Sequence, residues 1–161
     1  MSDTLSLLAP AGALPIGTEW RTSETSAPVV FPFDGSLVAN APVSTVQDSR
    51  DALDAAEAAR AEVAALSTAQ RRSILVAITA RVRAEASRLE DLLILETGKP
   101  RRDCRVEVSR TIVTLEATAE EVAHLRGETV PLDLQETGRG MIGYFTRKPA
   151  GVVIGIAGFN Y

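Results

Sequence analysis

Cysteine, histidine and aromatic residues are scarce in this chain of 161 residues. Cys104 is the only cysteine, which excludes an intramolecular disulfide and indicates a reducing compartment. His124 is the only histidine, so a tetrahedral zinc site would need several carboxylate ligands. We therefore expect no metal site. We expect Cys104 to have a structural role as a small hydrophobic residue, and His124, near the C-terminal end of a helix, to have a surface or capping role.

The chain also lacks an excess of positive charge and a long hydrophobic run. Its formal net charge is −4, which gives no electrostatic basis for binding nucleic acid or an anionic membrane. No lysine or arginine precedes Arg21, unlike a secretory or transit signal, and no apolar run approaches the roughly 20 residues of a membrane span. We expect a soluble cytoplasmic protein with neither nucleic acid nor a membrane as partner.

Short extended segments are predicted near the N-terminus. Residues 1–18 show no usable hydrophobic period, so we expect a flexible arm. Residues 19–21 form a weak strand candidate. Residues 29–31 and 37–39 are apolar runs, and the Pro-Phe-Asp-Gly sequence between them contains an Asp-Gly pair typical of a hairpin turn.

Four helices are then predicted. Capping-box patterns mark three helix starts, at Ser44 with Gln47, Ser67 with Gln70, and Ser87 with Glu90. Gly98 and Pro100 predict a helix end, because glycine adopts the left-handed cap and proline cannot continue the helix. A fourth helix is expected from Arg101 to about Leu125.

The C-terminal residues predict two strands. Residues 141–147 alternate as a strand does, and Pro149 separates them from the apolar run Gly-Val-Val-Ile-Gly-Ile-Ala-Gly-Phe-Asn-Tyr at residues 151–161. Such a run is typical of a strand buried on both faces of a parallel sheet. Parallel strands need crossover connections of a dozen or more residues. We therefore expect this chain to be the front part of a larger protein.

Five short motifs occur in a characteristic order. They are Pro-Phe-Asp-Gly at residues 32–35, Glu-Thr-Gly-Lys-Pro at 96–100, Glu-Val-Ser-Arg at 107–110, Gly-Glu-Thr-Val-Pro at 127–131, and Arg-Lys-Pro-Ala-Gly-Val-Val at 147–153 leading into Phe159 and Asn160. From about residue 19 onward the chain resembles the N-terminal part of an NAD(P)-dependent aldehyde dehydrogenase. The resemblance implies an α/β, Rossmann-like fold, in which this segment is mostly helical with a few short strands.

The resemblance also implies a domain organisation. Residues 19–135 would form the N-terminal hairpin and helical layer of the cofactor-binding domain. Residues 136–150 would form an oligomerisation-type strand and linker, either unpaired or paired between chains of a homo-oligomer. Residues 151–161 would be the first strand of the nucleotide-binding sheet, truncated.

Asn160 is the catalytic residue that the resemblance implies. In this family a cysteine thiolate attacks the aldehyde, hydride passes to NAD or NADP, and a glutamate activates water to release the acid. Asn160 would donate to the oxyanion, and Ile156, Ala157, Gly158 and Phe159 would line the cofactor near the nicotinamide ribose. Ala157 and Gly158 stand where the family usually has Ser/Thr-Pro, which removes a stiffening proline.

The nucleophilic cysteine and the general-base glutamate of the family would both lie beyond Tyr161. The chain alone is therefore expected to be inactive. An alternative interpretation is a non-catalytic helical interaction module derived from the same fold, with residues 151–161 covered by a partner or a second copy. The absence of capping charge in that run favours the enzyme interpretation.

Overall fold

Four α-helices dominate the computed structural model, which describes residues 12–158. They are α1 (Val46–Ala65), α2 (Thr68–Ala84), α3 (Ala86–Thr97) and α4 (Arg101–Glu121), the last continued by a 3-10 turn at Val122–His124. The prediction of a mostly helical segment with short strands is confirmed.

Local capping explains where α1 and α2 begin. Ser67 accepts from the Gln70 amide and Gln70 accepts from the Ser67 amide, which confirms the capping box predicted for α2. The box predicted at Ser44 is displaced by one residue. The cap of α1 is Thr45, because the Asp48 carboxylate three residues later accepts both the Thr45 N–H and its hydroxyl.

The junction between α2 and α3 differs from the prediction of a third capping box. A single residue, Glu85, separates the two helices, and its N–H still bonds the Arg81 carbonyl at 3.1 Å. No side chain caps α3, so the predicted cap at Ser87 is wrong although the predicted division is correct. Gly98 ends α3 as predicted, with φ of 69° and its N–H donating to the Ile94 carbonyl.

Six short strands form three antiparallel pairs in the described residues. They are β1 (Ala13–Ile16) with β2 (Glu19–Thr22), β3 (Ser26–Val30) with β4 (Leu37–Pro42), and β5 (Glu128–Val130) with β6 (Gly143–Phe145). The second pair confirms the hairpin predicted around the Asp-Gly turn. The flexible arm predicted for residues 1–18 is wrong for Ala13–Ile16, because a complementary strand follows after only two residues.

Two predictions for the C-terminal part also need correction. Residues 141–147 were expected to be unpaired or paired between chains, but β6 pairs with β5 of the same chain. Residues 151–161 were expected to be a strand. Residues 151–158 show no regular structure, and residues 159–161 lie outside the described residues. A strand is held by hydrogen bonds to a neighbouring strand, and no described strand lies beside this run to supply them.

The core is small and is centred on α4, against which both α2 and α3 pack. The buried apolar residues are Cys104, Val108 and Ala119 of α4, Val122 of the following turn, and Ala13 of β1. The buried hydroxyl of Thr79 on α2 donates to the Leu75 carbonyl at 2.8 Å, and this hydrogen bond compensates for the loss of hydration. Much apolar surface stays exposed elsewhere, including Ile156 at 95%.

Candidate active site and family

The segment predicted to approach the cofactor is an exposed, irregular stretch of chain. Ile156, Ala157 and Gly158 are all exposed and follow one another without regular structure. Phe159 and the predicted catalytic residue Asn160 lie outside the described residues. Three of the five predicted site residues are therefore described, and they are consecutive residues of one segment without charged side chains.

The residues before this segment line a groove beside the junction of α1 and α2. Residues 145–149 line this groove of about 630 Å³ together with Ala64, Thr68 and Leu125. The Arg71 guanidinium donates to the carbonyls of Val63 and Ala64 at 2.6 and 3.1 Å. Those two carbonyls end α1, so Arg71 both caps α1 and lines the groove.

Three of the five motifs meet at the corner between α3 and α4. A Cβ placed on Gly98 would lie 3.4 Å from the Pro32 Cβ, so the turn of the second hairpin packs against the end of α3. The next residue, Lys99, forms an ion pair with Glu107 on α4 at 2.6 Å. The motifs at residues 32–35, 96–100 and 107–110 thus share one structural junction.

The remaining two motifs are joined by the third strand pair. Gly127 comes so close to β6 that a Cβ there would lie 1.7 Å from the Phe145 carbonyl oxygen, and only glycine fits. The motif at residues 127–131 contains β5, and the motif at residues 147–153 begins just after β6. Sequence order alone did not predict the contacts of Gly98 with Pro32 or of Gly127 with Phe145, because the residues of each pair lie far apart along the chain.

Cys104 and His124 occupy the structural positions predicted for them. The Cys104 side chain is fully buried, with its Sγ 3.8 Å from the Lys99 carbonyl oxygen. Burial raises the pKa of its thiol, with a further increase from the nearby Glu107 carboxylate, so the nucleophilic thiolate is disfavoured. His124 lies on the surface, with Nδ1 3.2 Å from a Glu121 carboxylate oxygen.

Within residues 12–158 no group of three or more metal-ligating side chains comes together. None of the described helices is both long and apolar enough to cross a membrane.

Comparison with known proteins identifies the family. The model of the aldehyde dehydrogenase family matches residues 20–161. The chain belongs to the aldehyde dehydrogenase family. Aspartate-semialdehyde dehydrogenase 1 of Pseudomonas canavaninivorans is 32% identical over 132 residues, which are 82% of this chain and 28% of that protein. The chain thus spans under a third of the length of this family relative.

Solved structures of the family show the same fold. The crystal structure of aldehyde dehydrogenase 21 from Physcomitrella patens, in complex with the reaction product succinate, matches with a TM-score of 0.78 and 29% identity. The match covers 84% of this chain and 28% of that one. A crystal structure of PnpE in complex with nicotinamide adenine dinucleotide matches with a TM-score of 0.70 and 27% identity, over 77% of this chain and 26% of that one. The chain is therefore a mostly helical segment of the α/β, Rossmann-like aldehyde dehydrogenase fold.

Proposed function

We propose that the protein containing this segment oxidises an aldehyde to a carboxylic acid, with NAD or NADP as hydride acceptor. The observation that carries the proposal is the match of the family model to residues 20–161. The relative from Pseudomonas canavaninivorans is named for an aldehyde substrate, and the Physcomitrella patens structure holds a carboxylate product. A small-molecule aldehyde is therefore the proposed substrate.

Residues 156–159 are the proposed cofactor contacts. Residues 150–158 carry no charged side chain, and three of them are glycines. Ile156, Ala157 and Gly158 are exposed, and the small size of Ala157 and Gly158 would let a ribose or nicotinamide ring approach the backbone closely. An uncharged segment with small residues suits close contact with the ribose and nicotinamide of a dinucleotide, and this supports residues 156–159 as cofactor contacts. The bound cofactor would supply the hydride acceptor, and this chain would orient it.

Asn160 is the proposed oxyanion donor. When a nucleophile adds to an aldehyde, the carbonyl oxygen gains negative charge. A carboxamide N–H directed at that oxygen stabilises the charge without any proton transfer. The Asn160 side chain supplies such a donor directly after the proposed cofactor contacts, and this adjacency would place the oxyanion beside the nicotinamide.

We further propose that the chain of residues 1–161 is inactive by itself. The family reaction needs a thiolate that an aldehyde can reach, and Cys104 is fully buried with a raised thiol pKa. The competing candidate is a non-catalytic interaction module. It is supported by the exposed apolar surface of β6 and the residues before it, where Ile142 and Tyr144 are 86% and 73% exposed.

The same surface supports a homo-oligomer, because exposed apolar side chains on a short two-stranded sheet favour burial against a second copy. Cytoplasmic location stays a proposal that rests on the single cysteine.

The test is the activity of the native gene product. An antibody raised against residues 12–158 would isolate the protein from its source cells, and absorbance would report reduction of NAD or NADP in the presence of a panel of aldehydes. The proposal expects aldehyde-dependent reduction by the native product and none by the isolated 161-residue chain. A native product without activity toward any aldehyde would favour the interaction module. Turnover by the isolated chain that is lost in Cys104→Ala would overturn the residue assignments.

A further inference from the structure

The first hairpin, formed by β1 and β2, lies against α1 with little apolar burial. Ala13 is the only buried residue of these two strands. A Cβ placed on Gly17 in the turn would lie 3.3 Å from the Ala55 Cβ, so the turn touches the alanine-rich side of α1 closely. No residue of α1 is buried beneath the hairpin. Apolar contact alone therefore holds the hairpin to α1 only weakly, since the hydrophobic contribution scales with buried area.

A cluster of charges supplies the main connection. Nη1 of Arg21, on β2, lies 2.9 Å from Asp48 Oδ1 and 2.5 Å from Asp51 Oδ2, both on α1. Each carboxylate is also oriented from its other oxygen. Asp48 Oδ2 accepts from Thr45 at the N-cap, and Asp51 Oδ1 accepts from Gln47 Nε2 at 2.7 Å. The acceptors are thus preorganised by α1 itself, and one arginine of the hairpin joins them.

The base of the hairpin is fixed separately. The Ser23 N–H donates to the Gly12 carbonyl at 3.0 Å and extends the ladder of the hairpin by one bond. The Ser23 hydroxyl lies 2.6 Å from the Val43 carbonyl oxygen, just after β4, and 2.8 Å from that of Thr25. Ser23 therefore connects the first hairpin to the second, and these bonds do not involve α1. Rotation about this point would separate the hairpin from α1 without breaking them.

The balance of these contacts favours local opening over global unfolding. Ion pairs that solvent can reach stabilise weakly and are screened by salt. The Arg21 side chain is 45% exposed, and the side chains of Asp48 and Asp51 are 13% and 29% exposed. The core formed by α2, α3 and α4 lies elsewhere and shares no ion pair with the Arg21 cluster among the described residues. Elements with few buried apolar contacts open first in native proteins.

We propose that the first hairpin opens and closes on α1 as a unit, pivoting at Ser23 and held closed by Arg21 through Asp48 and Asp51. In the closed state the turn of the hairpin lies against Ala55 of α1. In the open state that side of α1 is accessible while the helices stay folded. Ionic strength controls the balance between the two states.

Trp20 provides the measurement, because it is the only tryptophan of the chain and lies in β2 beside Arg21. Time-resolved fluorescence anisotropy of Trp20 separates fast local motion of the hairpin from slow tumbling of the whole molecule. Far-UV circular dichroism on the same samples reports the helices. The wild-type chain is compared with Arg21→Gln and with Asp51→Asn, which keeps the Asp48 cap of α1 intact.

The matched control is Arg60→Gln. Arg60 pairs with Glu57 at 2.7 Å on α1 itself, so this variant removes one exposed arginine and one ion pair without touching the hairpin. The proposal expects the fast component of the anisotropy decay to rise several-fold in Arg21→Gln, and less in Asp51→Asn, with unchanged helical signal. At about 1 M salt, where the Debye length falls to roughly 3 Å, the anisotropy decay of the wild-type protein should shift toward that of Arg21→Gln. Arg60→Gln should match the wild type.

Three results would overturn the proposal. The first is an Arg21→Gln decay equal to that of the wild type at low salt. The second is fast motion of Trp20 that appears only together with loss of the helical signal. The third is an equal effect of Arg60→Gln. If Arg21→Gln fails to fold, Asp51→Asn and the salt titration of the wild type decide by the same criteria.

Discussion

Truncation of Val108 tests whether α4 organises the helical core. Val108 is 5% exposed on α4, the helix on which both α2 and α3 pack. Replacing it with alanine removes two methyl groups from a buried site, at about 0.8 kcal/mol for each buried carbon. A residual cavity adds to that cost, so Val108→Ala should lower the free energy of unfolding by about 2 kcal/mol.

Val106→Ala is the matched control on the same helix. Val106 is 52% exposed, so its truncation should change the free energy of unfolding by less than about 0.5 kcal/mol. Alanine favours helix over valine by a few tenths of a kcal/mol, and this gain is the same in both variants. The difference between the two changes in the free energy of unfolding therefore reports the effect of burial alone.

Urea denaturation followed by far-UV circular dichroism measures the difference. A small domain loses about 1–3 kcal/mol of stability per molar urea, so the midpoint of Val108→Ala should fall by about 1 M relative to that of Val106→Ala. Equal midpoints for the two variants would refute the assignment of the core to α4. A larger shift in Val106→Ala would place the buried face of α4 on its other side.

Two further predictions concern local geometry and charge. Gly98→Ala should lower the free energy of unfolding by about 1 kcal/mol, because Gly98 has φ of 69°. Gly155→Ala is the control and should have little effect, since open space surrounds Gly155. Equal midpoints for these two variants in urea denaturation would contradict the role of Gly98. Hydrogen bonds from Thr45, followed by Arg21, hold the Asp48 pKa at about 2 against an ordinary value of 3.8. The stabilising contribution of the Asp48 carboxylate should therefore be complete above pH 3.8 and be lost as pH falls toward 2. In thermal unfolding, an Asp48→Asn variant should lack this loss of stability in acid. An unchanged acid loss in Asp48→Asn would argue against this cause.

Sequence reasoning succeeded where structure depends on neighbouring residues. Ser67 and Gln70 satisfy each other across one helical turn, and Gly98 needs only its own backbone freedom, so both were predictable. The cap of α1 is Thr45, one residue after the predicted cap at Ser44. The two residues are adjacent, and both residue types can cap a helix. What decided between them was an acidic partner, Asp48, at the right spacing.

Predictions failed where structure depends on distant partners. Ala13–Ile16 shows no periodicity of its own and becomes a strand only because Glu19–Thr22 pairs with it. Residues 151–158 have the composition of a buried strand, yet strand formation requires hydrogen bonds from another strand. The apolar composition of this run was therefore read correctly, but the strand conformation predicted from it was wrong.

The candidate site was predictable only through the resemblance. Composition and periodicity could not single out Asn160, and the order of five motifs did. The contacts between those motifs, such as Lys99 with Glu107, appear only in the folded chain. The roles of Asn160 and of Ile156, Ala157, Gly158 and Phe159 stay predictions.

The turnover number of the native gene product carrying Asn160→Ala tests whether Asn160 is the oxyanion donor. Asn40→Ala is the matched control, because Asn40 is an exposed asparagine on β4, outside the proposed site. We expect Asn160→Ala to lower kcat by about a hundredfold or more, as for other oxyanion donors, while cofactor binding and the helical signal persist. A kcat equal to that of Asn40→Ala in a folded protein would contradict the assignment of Asn160 as the oxyanion donor.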